Sequence, residues 1–491
     1  MKGKPKYILI LLMAILTAEA SAQNSQVLYF MNLPQNHMIN PALRPSNSLY
    51  IGLPVISGIN LNMYNNFVNF SDVFMKSKTS DAIITFLNPE NNIDDFLAIT
   101  KDKNSIETEF AVQLFGLGFS TRNGLYFFLD INERADANVV IPGDLFKLVL
   151  KGNEEFAGGR IDLSSLRGDL KYYREIGFGF SKNFTNKLRI GVKGKLLFGL
   201  AGASIDNRSL GITVNNDYSQ ALDANLTFNV SYPLKAYMNS DNNKIDSLVF
   251  DDKRFNTKSG VVDFFTNTKN IGLGLDIGAT YDVSDKIMVS AAITDLGYIR
   301  WQKDVTNIDV KDQFAFSGLD MHDFINGTKT FKEVGQEMID SLKNSLIVSK
   351  SNVPYTTYLP FGVSLGGSYE LTNNLSLGLL SYSRVIGKQL RESLTLSGNV
   401  NLSNAFSFSL GYTIANHRFD NIGAGLAFRA GIVQFYLLAD RIPVTWNRIK
   451  NDNSTFPVPS IWNSANLRLG MNLVFGNKIK KRNDRPMIMV E

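Results

Sequence analysis

The feature that most constrains the fold of this chain is a two-residue alternation of apolar and polar side chains. It is clearest in residues 187–198, where one set of alternate positions is apolar and the other is lysine, arginine or glycine. The apolar set is Leu188, Ile190, Val192, Leu196 and Phe198. Because successive side chains of a β-strand point to opposite faces, this segment is predicted to be a strand with one apolar and one cationic face.

The same alternation returns many times along the chain. It recurs in 271–281, 361–371, 394–402, 406–414 and 466–475. Stretches of roughly 9–12 residues are long for a soluble β-sandwich, which also alternates and is the competing fold, but they suit a tilted strand that crosses a bilayer. The mean hydropathy of −0.05 agrees, because only one face of such a strand is apolar. We therefore predict an all-β fold, an antiparallel transmembrane β-barrel.

The first residues predict export. Lys2, Lys4 and Lys6 precede an apolar run over 7–16, and Ala20-Ser21-Ala22 is a small-residue cleavage site. Residues 1–22 are thus predicted to be a cleaved signal peptide. The run is short of the roughly 20 apolar residues of a spanning helix, and no later run approaches that length, so any membrane span must be β. We expect an integral protein of the cell outer membrane, in contact with its lipid.

Counting the alternating segments predicts about 14 wall strands, an even number that leaves both chain ends in the periplasm. The segments are 107–119, 124–133, 172–182, 187–199, 221–233, 271–281, 286–298, 361–371, 375–384, 394–402, 406–414, 421–429, 432–440 and 466–475. Residues 48–56 and 58–68 could add a hairpin, giving roughly 16 strands. The count makes the joint at 282–285 periplasmic and the segments 235–269, 300–358 and 441–462 external. It also makes the tight turn at 183–186 external and the long segment 134–170 periplasmic. This disagrees with the usual arrangement, in which the short turns are periplasmic and the long loops external.

Five segments are expected not to contribute strands to the wall, and the barrel as a whole is placed at 48–476. Residues 23–47, with the proline-marked Asn40-Pro41-Ala42, suit a plug inside the lumen or a periplasmic clip. Short helices are expected within 71–102, at 144–150 and at 330–348. Residues 477–491 form a basic periplasmic tail, which is either merely solvated or binds a partner.

The inward face of the predicted wall carries glycines and charges. Glycine pairs such as Gly177/Gly179 and Gly272/Gly274 would let a plug or ligand approach the wall. The predicted lumen-facing charges are Arg189, Lys193, Lys195, Glu175, Asp276, Arg429 and Arg468, together with Glu370. They could hold the plug, line a pore, or pair with one another and block the lumen.

The sequence offers little for catalysis. It has no cysteine and three histidines, His37, His322 and His417, without the spacing of a metal site. His417 lies near Ser409 and Asn416 but lacks a nucleophile elbow, so we expect neither an enzyme nor a cofactor. The net charge of +5 is spread over 50 cations and 45 acids, which does not favour nucleic-acid binding.

Three motifs together resemble a family of Bacteroidota outer-membrane barrels known as a domain of unknown function. They are Met38-Ile39-Asn40-Pro41-Ala42, the stretch from Lys151-Gly152-Asn153 to Ile161-Asp162-Leu163-Ser164, and the glycine–lysine strand 191–199. The Asn40-Pro41-Ala42 element is more distantly similar to one in the PorP/SprF proteins of type IX secretion and in FadL-like fatty-acid transporters. The FadL-like resemblance implies about 14 strands and an N-terminal hatch in the lumen.

Two functions stay open at this point. One is a plugged barrel of the FadL-like kind that transports a small or hydrophobic ligand. The other is a structural or assembly component of an outer-membrane machinery such as type IX secretion, which would bind a periplasmic or surface protein partner. Neither the ligand nor the partner follows from the residues.

Overall fold

The structure is a computed structural model, and the residues that it describes form one barrel with an element in its lumen. They are 26–80, 82–241, 243–250, 254–316, 347–387, 389–402, 405–415, 418–443, 445–451, 454–459 and 463–476. The predicted signal peptide, the basic tail, His322, His417 and residues 330–346 of the predicted helix at 330–348 lie outside the described residues, and Val348 begins a strand.

The wall is a closed antiparallel barrel of 14 strands, which confirms the predicted fold class. The strands are β1 (Leu49–Gly52 and Ile59–Asn65), β2 (Lys103–Ser120), β3 (Tyr126–Pro142), β4 (Arg167–Asn183), β5 (Leu188–Val214), β6 (Gln220–Ser231 and Ile271–Asp282), β7 (Ile287–Trp301 and Val305–Phe316), β8 (Val348–Ser351, Tyr355–Tyr358 and Phe361–Glu370), β9 (Leu375–Ile386), β10 (Gln389–Leu402), β11 (Phe406–Ala415), β12 (Arg418–Ala430), β13 (Val433–Ile442) and β14 (Ser464–Phe475). Strand β1 closes the ring, since Leu49 lies opposite both Phe475 and Phe119.

Two strand assignments from the sequence were wrong, and their errors cancelled in the count. Residues 220–231 and 271–282 both pair with β5, at successive levels, so they are two halves of one strand. Residues 49–52 and 59–65 both pair with β14 and β2, so they form one interrupted strand rather than a hairpin. The alternative of 16 strands is therefore excluded for the described residues.

With the corrected strand order, the short turns and the long segments no longer fall on the same side of the membrane. The joints at 121–125, 184–187, 283–286, 371–374 and 431–432 all lie at one end of the barrel, where short turns mark the periplasmic side. The turn at 184–187 is thus periplasmic and segment 143–166 external, the reverse of the prediction. The reason is that omitting β1 and splitting β6 inverted the direction of every strand between them.

The outer face of the wall is an apolar band. Phe178, Leu273, Leu365, Leu396 and Leu437 are exposed there, while their neighbours along each strand are buried or half-buried. Exposed tyrosines, such as Tyr281 and Tyr369 at one end and Tyr298 at the other, flank the band. Apolar residues bordered by aromatic girdles are the outer surface of an outer-membrane barrel. Among the described residues no helix has the length and apolarity to cross a membrane.

Helices and hairpins lie at the external end. The helices are α2 (Phe70–Val73), α3 (Ile93–Ile99), α4 (Gly143–Lys151) and α5 (Lys258–Phe265), and α1 (Gln26–Phe30) lies in the lumen. Short hairpins pair Phe74–Lys76 with Ile83–Thr85, Leu234–Met238 with Ile245–Phe250, and Trp446–Asn451 with Ser454–Pro459. Helix α4 packs on an apolar cluster that includes Ile161, Ile212 and Leu222, so the upper parts of β5 and β6 have a core of their own.

Candidate functional site

Residues 26–47 lie inside the barrel. Helix α1 and a 3₁₀ turn at Pro34–Met38 are buried along most of their length. Val27, Leu28 and Leu33 pack against wall residues that include Leu380 and Leu438. We call residues 26–47 the plug segment. It occupies the region that the sequence suggested for a plug or clip.

Inward-facing glycines let the plug segment approach the wall. A Cβ atom on Gly191 would lie 2.5 Å from the backbone nitrogen of Ala42 and closer still to the Pro41 carbonyl. A Cβ on Gly278 would lie 3.0 Å from Cδ of Pro41 and closer to the side chain of Asn40. The Asn40-Pro41-Ala42 element therefore fits against the paired strands β5 and β6 only because both positions lack a side chain.

Polar contacts fix the middle of the plug segment. The ring of His37 is fully buried, with Nε2 2.7 Å from a carboxylate oxygen of Asp130 and Nδ1 2.6 Å from the Pro34 carbonyl. Both partners can only accept when Asp130 is ionised, so both bonds form together when both ring nitrogens carry a proton. The side-chain amides of Gln35 and Asn472 bond reciprocally, at 2.8 and 3.1 Å.

The two ends of the segment are also anchored. The amide of Val27 donates to Asp440, and the Tyr29 hydroxyl lies 2.6 Å from that of Ser290. Burial raises the pKa of Tyr29 above its ordinary value, so it remains a neutral hydroxyl. Asn40 accepts from the amide of Ala42 and donates weakly, at 3.4 Å, to the wall carbonyls of Ala279 and Ala291.

A network of buried ion pairs lies beside the plug segment. Lys193 bonds Asp130 and Glu175, both at 3.1 Å. Lys195 bonds Asp276 at 2.8 Å and Asp295 at 2.5 Å. These lysines are almost fully buried. Each buried cation thus has at least one carboxylate, as the cost of burying a charge requires.

Arg134 of β3, the strand that also carries Asp130, joins this network. Its guanidinium reaches Glu109, Glu175 and Asp295 at 3.0–3.1 Å. Carboxylates from β2, β4 and β7 therefore converge on one arginine of β3. A fork of five donors is suited to hold several carboxylates at once, which a lysine could not do in the same geometry.

Asp295 enters the lumen through a β-bulge. The pairing of β6 with β7 shifts between Leu275 and Ile277 of β6, and Asp295 of β7 has a φ of 60°. Its backbone amide donates to the Asp276 carboxylate at 2.7 Å. A bulge adds one residue to a strand and redirects a side chain, and aspartate tolerates the left-handed conformation better than most residues.

Two further ion pairs cross the lumen. Arg384 of β9 bonds Glu109 of β2 at 3.0 Å, and Arg391 of β10 bonds Glu107 of β2 at 3.2 Å. In a ring of 14 strands, β2 and β9 lie on opposite sides. We call the two pairs the crossbar. The crossbar links opposite walls, which narrows the lumen at this level.

A cavity of about 1490 Å³ lies on the external side of the crossbar, and a smaller space of about 60 Å³ lies on the plug side. Glu109 and Arg384 line both. The charged residues that line the larger cavity are Asp102, Glu107, Glu109, Asp136, Asp144, Asp162, Asp169, Asp206, Lys103, Arg167, Lys171, Arg384 and Arg391. Acids outnumber bases, so this cavity has an acidic character.

The structure separates the predicted lumen charges into two groups. Glu175, Lys193, Lys195 and Asp276 meet in the buried network, and Arg468 lies nearby, donating to the sulfur of Met38 at 3.2 Å. Arg189 bonds Asn183 next to the periplasmic turn, and Arg429 donates to the carbonyls of Gly431 and Val474. These last two lie at the periplasmic end, away from the network.

Sequence reasoning missed several members of the site. Asp130, Arg134, Glu109 and Arg384 were not singled out, although each has the inward parity of its strand. Asp295 left a detectable signal: the outward apolar positions run 287, 289, 291, 293 and then 296, 298, a shift of phase that indicates a bulge. No local pattern signals His37 or the crossbar, because the partners come from distant strands.

No group of His, Asp or Glu with the arrangement of a metal site occurs in the part of the chain that the structure describes. The charged groups are bonded mainly to one another, and their arrangement fixes the plug segment and narrows the lumen.

Comparison with known proteins gives the following. No curated protein matches the chain. The solved structure of a Pseudomonas aeruginosa FadL homologue is similar at 10% identity and a TM-score of 0.42, covering 93% of this chain and 97% of that one. The Ralstonia pickettii toluene transporter TbuX is similar at 10% identity and a TM-score of 0.42, covering 94% and 100%. The Pseudomonas putida toluene transporter TodX is similar at 8% identity and a TM-score of 0.36, covering 93% and 94%.

The resemblance to an uncharacterised family, inferred from three motifs, is confirmed by a match that spans most of the chain. Residues 41–440 match the model described as "Family of unknown function (DUF5723)", and the chain belongs to that family.

Proposed function

We propose that this protein is a gated transport barrel of the outer membrane, which takes a small solute from the external side and passes it when the plug segment moves. The observation that carries the proposal is the order of features along the lumen. From the external end these are a large cavity, the crossbar, a small space and the plug segment. A protein that served only as an anchor would not need a cavity of this size in line with a separable plug.

The contacts of the plug segment suit a part that moves. Its middle is held by hydrogen bonds from Gln35, His37 and Asn40. When the segment leaves, water can take the place of the lost partner for the polar groups of the segment and for those of the wall. No buried polar group is then left without a hydrogen bond, which would be costly. The apolar contacts are concentrated at α1. We therefore expect the stretch 34–42 to loosen more easily than α1.

The chemistry of the cavity favours a polar solute over a hydrocarbon. Apolar ligands are bound in pockets lined mainly by apolar side chains, whereas charged side chains of both signs line this cavity. The excess of acids favours a cationic or zwitterionic solute. A hydrophobic ligand is the other outcome that a transport test can give.

The test is solute flux and ion conductance of the full chain in proteoliposomes and planar bilayers. The wild-type protein is expected to show rare, brief openings. His37→Ala removes the bond to Asp130, so it should open more often and admit choline or arginine faster than glutamate of similar size. Asp217→Asn, in the exposed turn between β5 and β6, is the control and should behave as the wild type.

Equal flux for wild type and His37→Ala, with both proteins correctly inserted, would refute the gated passage. Faster flux of an aromatic hydrocarbon than of any polar solute would keep the passage and overturn the solute class.

The remaining sequence predictions belong to this proposal. They are a cleaved signal peptide at 1–22, a hatch role for residues 23–47, and periplasmic chain ends. An assembly role through a protein partner of the tail 477–491 stays a second prediction, tested by pull-down with and without those residues. Recovery of the same proteins by both forms would exclude an anchoring tail.

A further inference from the structure

An insertion interrupts β6 at the external boundary of the apolar band. The chain leaves the wall after Ser231 and returns at Ile271, which lies opposite Phe198 on β5. In between it forms a hairpin and helix α5. The side-chain amides of Asn267 and Asn270 both donate to the carbonyl of Gly199, which fixes the chain where it rejoins the wall.

The inserted segment builds a row of aromatic rings against the outside of the barrel. Phe265 lies 6.5 Å from Tyr172 of β4, Phe264 is 5.3 Å from Phe265, and Phe255 is 5.2 Å from Phe264. Tyr232 joins Phe255 to Phe250, at 6.1 Å from each. We call these six residues, together with Val262 of α5, the aromatic ledge.

The ledge is on the outer face of the wall. Tyr172 and Arg174 share the strand face of Phe178 and Phe180, which are exposed in the apolar band. The guanidinium of Arg174 donates to the Phe265 carbonyl at 3.0 Å and also bonds Glu133. A charged pair on the lipid-facing side is costly near the middle of the bilayer, and the ledge covers this pair at the boundary of the band.

The surface that the ledge presents is apolar. Val262 and Phe250 are each 58% exposed, and Phe265 is 40% exposed. This surface continues into the lipid-facing wall, because Ile271 and Leu273 are exposed a few residues after α5. Lys258, the first residue of α5, and Lys269, which follows the helix, are also exposed. Apolar and aromatic residues next to exposed lysines are typical of segments that lie in a membrane interface.

Ion pairs hold the ledge in place on its polar side. Asp263 of α5 bonds Arg254 and Lys303, at 2.8 and 2.9 Å, and Arg254 also bonds Asp304 between the two halves of β7. The hydrogen bond from Lys303 and its positive charge hold the pKa of Asp263 below its ordinary value. The helix is thus fixed to the wall independently of any lipid.

We propose that the aromatic ledge is a membrane-contact surface, which rests in the interfacial region of the outer leaflet with Val262, Phe265 and Phe250 against lipid. The occupant is lipid because the ledge directly continues the lipid-facing band. Its role is to fix the depth of the barrel and to shield the Arg174–Glu133 pair from acyl chains.

The test uses the absence of cysteine from the chain. Val262→Cys, labelled with an environment-sensitive fluorophore, is compared with Tyr218→Cys in the external turn and Leu196→Cys in the lipid-facing wall. The full protein is reconstituted into vesicles of phosphatidylcholine whose acyl chains are brominated at shallow or deep positions. The label at 262 should lose fluorescence with shallow bromines more than with deep ones, and the label at 196 should show the reverse.

The label at 218 should be unaffected by either lipid. If the label at 262 behaves as the label at 218 does, the proposal is overturned. Phe250→Cys is a second label site on the ledge and should give the result of 262 if that variant does not insert. Strong quenching at 262 by an aqueous quencher, equal to that at 218, would also overturn the proposal.

Discussion

Replacement of Gly191 by alanine tests how closely the plug segment is fitted to the wall. The added methyl group would lie 2.5 Å from the Ala42 nitrogen, whereas ordinary van der Waals contact begins at 3.4 Å. The nearest atoms belong to the backbone of the plug segment, so no side chain can rotate to relieve the overlap. Either the segment or the strand must shift.

The cost follows from this overlap. Overpacking by one methyl group in a close-packed interior costs about 1–3 kcal/mol. The wall strand is fixed by hydrogen bonds to both neighbours, so most of the strain should fall on the plug segment. A loss of about 1–3 kcal/mol raises the unseated population about 5–150-fold.

Thiol labelling measures that population. Ile39→Cys places a reporter thiol at a buried position of the plug segment, inside the stretch 34–42 and next to Asn40-Pro41-Ala42, in a chain without other cysteines. A membrane-impermeant maleimide can react only when the segment opens, so the labelling rate follows the open population. Gly194→Ala is the matched control, because a Cβ there meets no atom within 4 Å.

We expect Gly191→Ala to label about 5–150-fold faster than the reporter alone, and Gly194→Ala to label at the reporter's own rate. Equal rates for the two alanine variants would refute the reasoning. That result would mean that Asn40-Pro41-Ala42 is not closely fitted against the inner face of β5 and β6.

Three other substitutions test the network, the wall and the cavity. Lys195→Met leaves Asp276 and Asp295 without their shared cation, so the free energy of unfolding in urea should fall by about 3–5 kcal/mol, and Lys187→Met in the exposed turn should leave it unchanged. Phe178→Arg, in the middle of the apolar band, should lower the free energy of unfolding in vesicles by about 2–4 kcal/mol, and Phe184→Arg, at the periplasmic turn, by about 0–1 kcal/mol; similar losses would contradict the placement of the band. Glu109→Gln in the His37→Ala background should reduce the preference for cations in reversal-potential measurements, and an unchanged preference would show that the crossbar does not face the passage.

The sequence by itself determined the wall. Leu188, Ile190 and Val192 reveal their strand because the side-chain period of two is a local property, and because lipid on one side requires the same residue class at every outward position. The inward parity of Glu175, Lys193, Lys195 and Asp276 follows from the same rule. The fold class and these orientations therefore needed no knowledge of distant contacts.

Strand connectivity could be predicted only in part from the sequence. The hairpin and helix inserted at 232–270 interrupt β6, and the break at 53–58 interrupts β1, and each imitates the boundary between two separate strands. Alternation reports where a strand runs but not which neighbour it pairs with. The direction of β2 to β5 was therefore assigned wrongly until pairing was known.

Only the tertiary structure decided which groups meet in the lumen. His37 and Asp130 are 93 residues apart in the chain, and Arg391 and Glu107 are 284 apart. Ring closure brings such residues together across the lumen, and no local pattern records which inward side chains will face one another. The physical reason is that lipid dictates the outer face residue by residue, whereas the inner face is fixed by mutual pairing of buried charges and by the segment that fills the space.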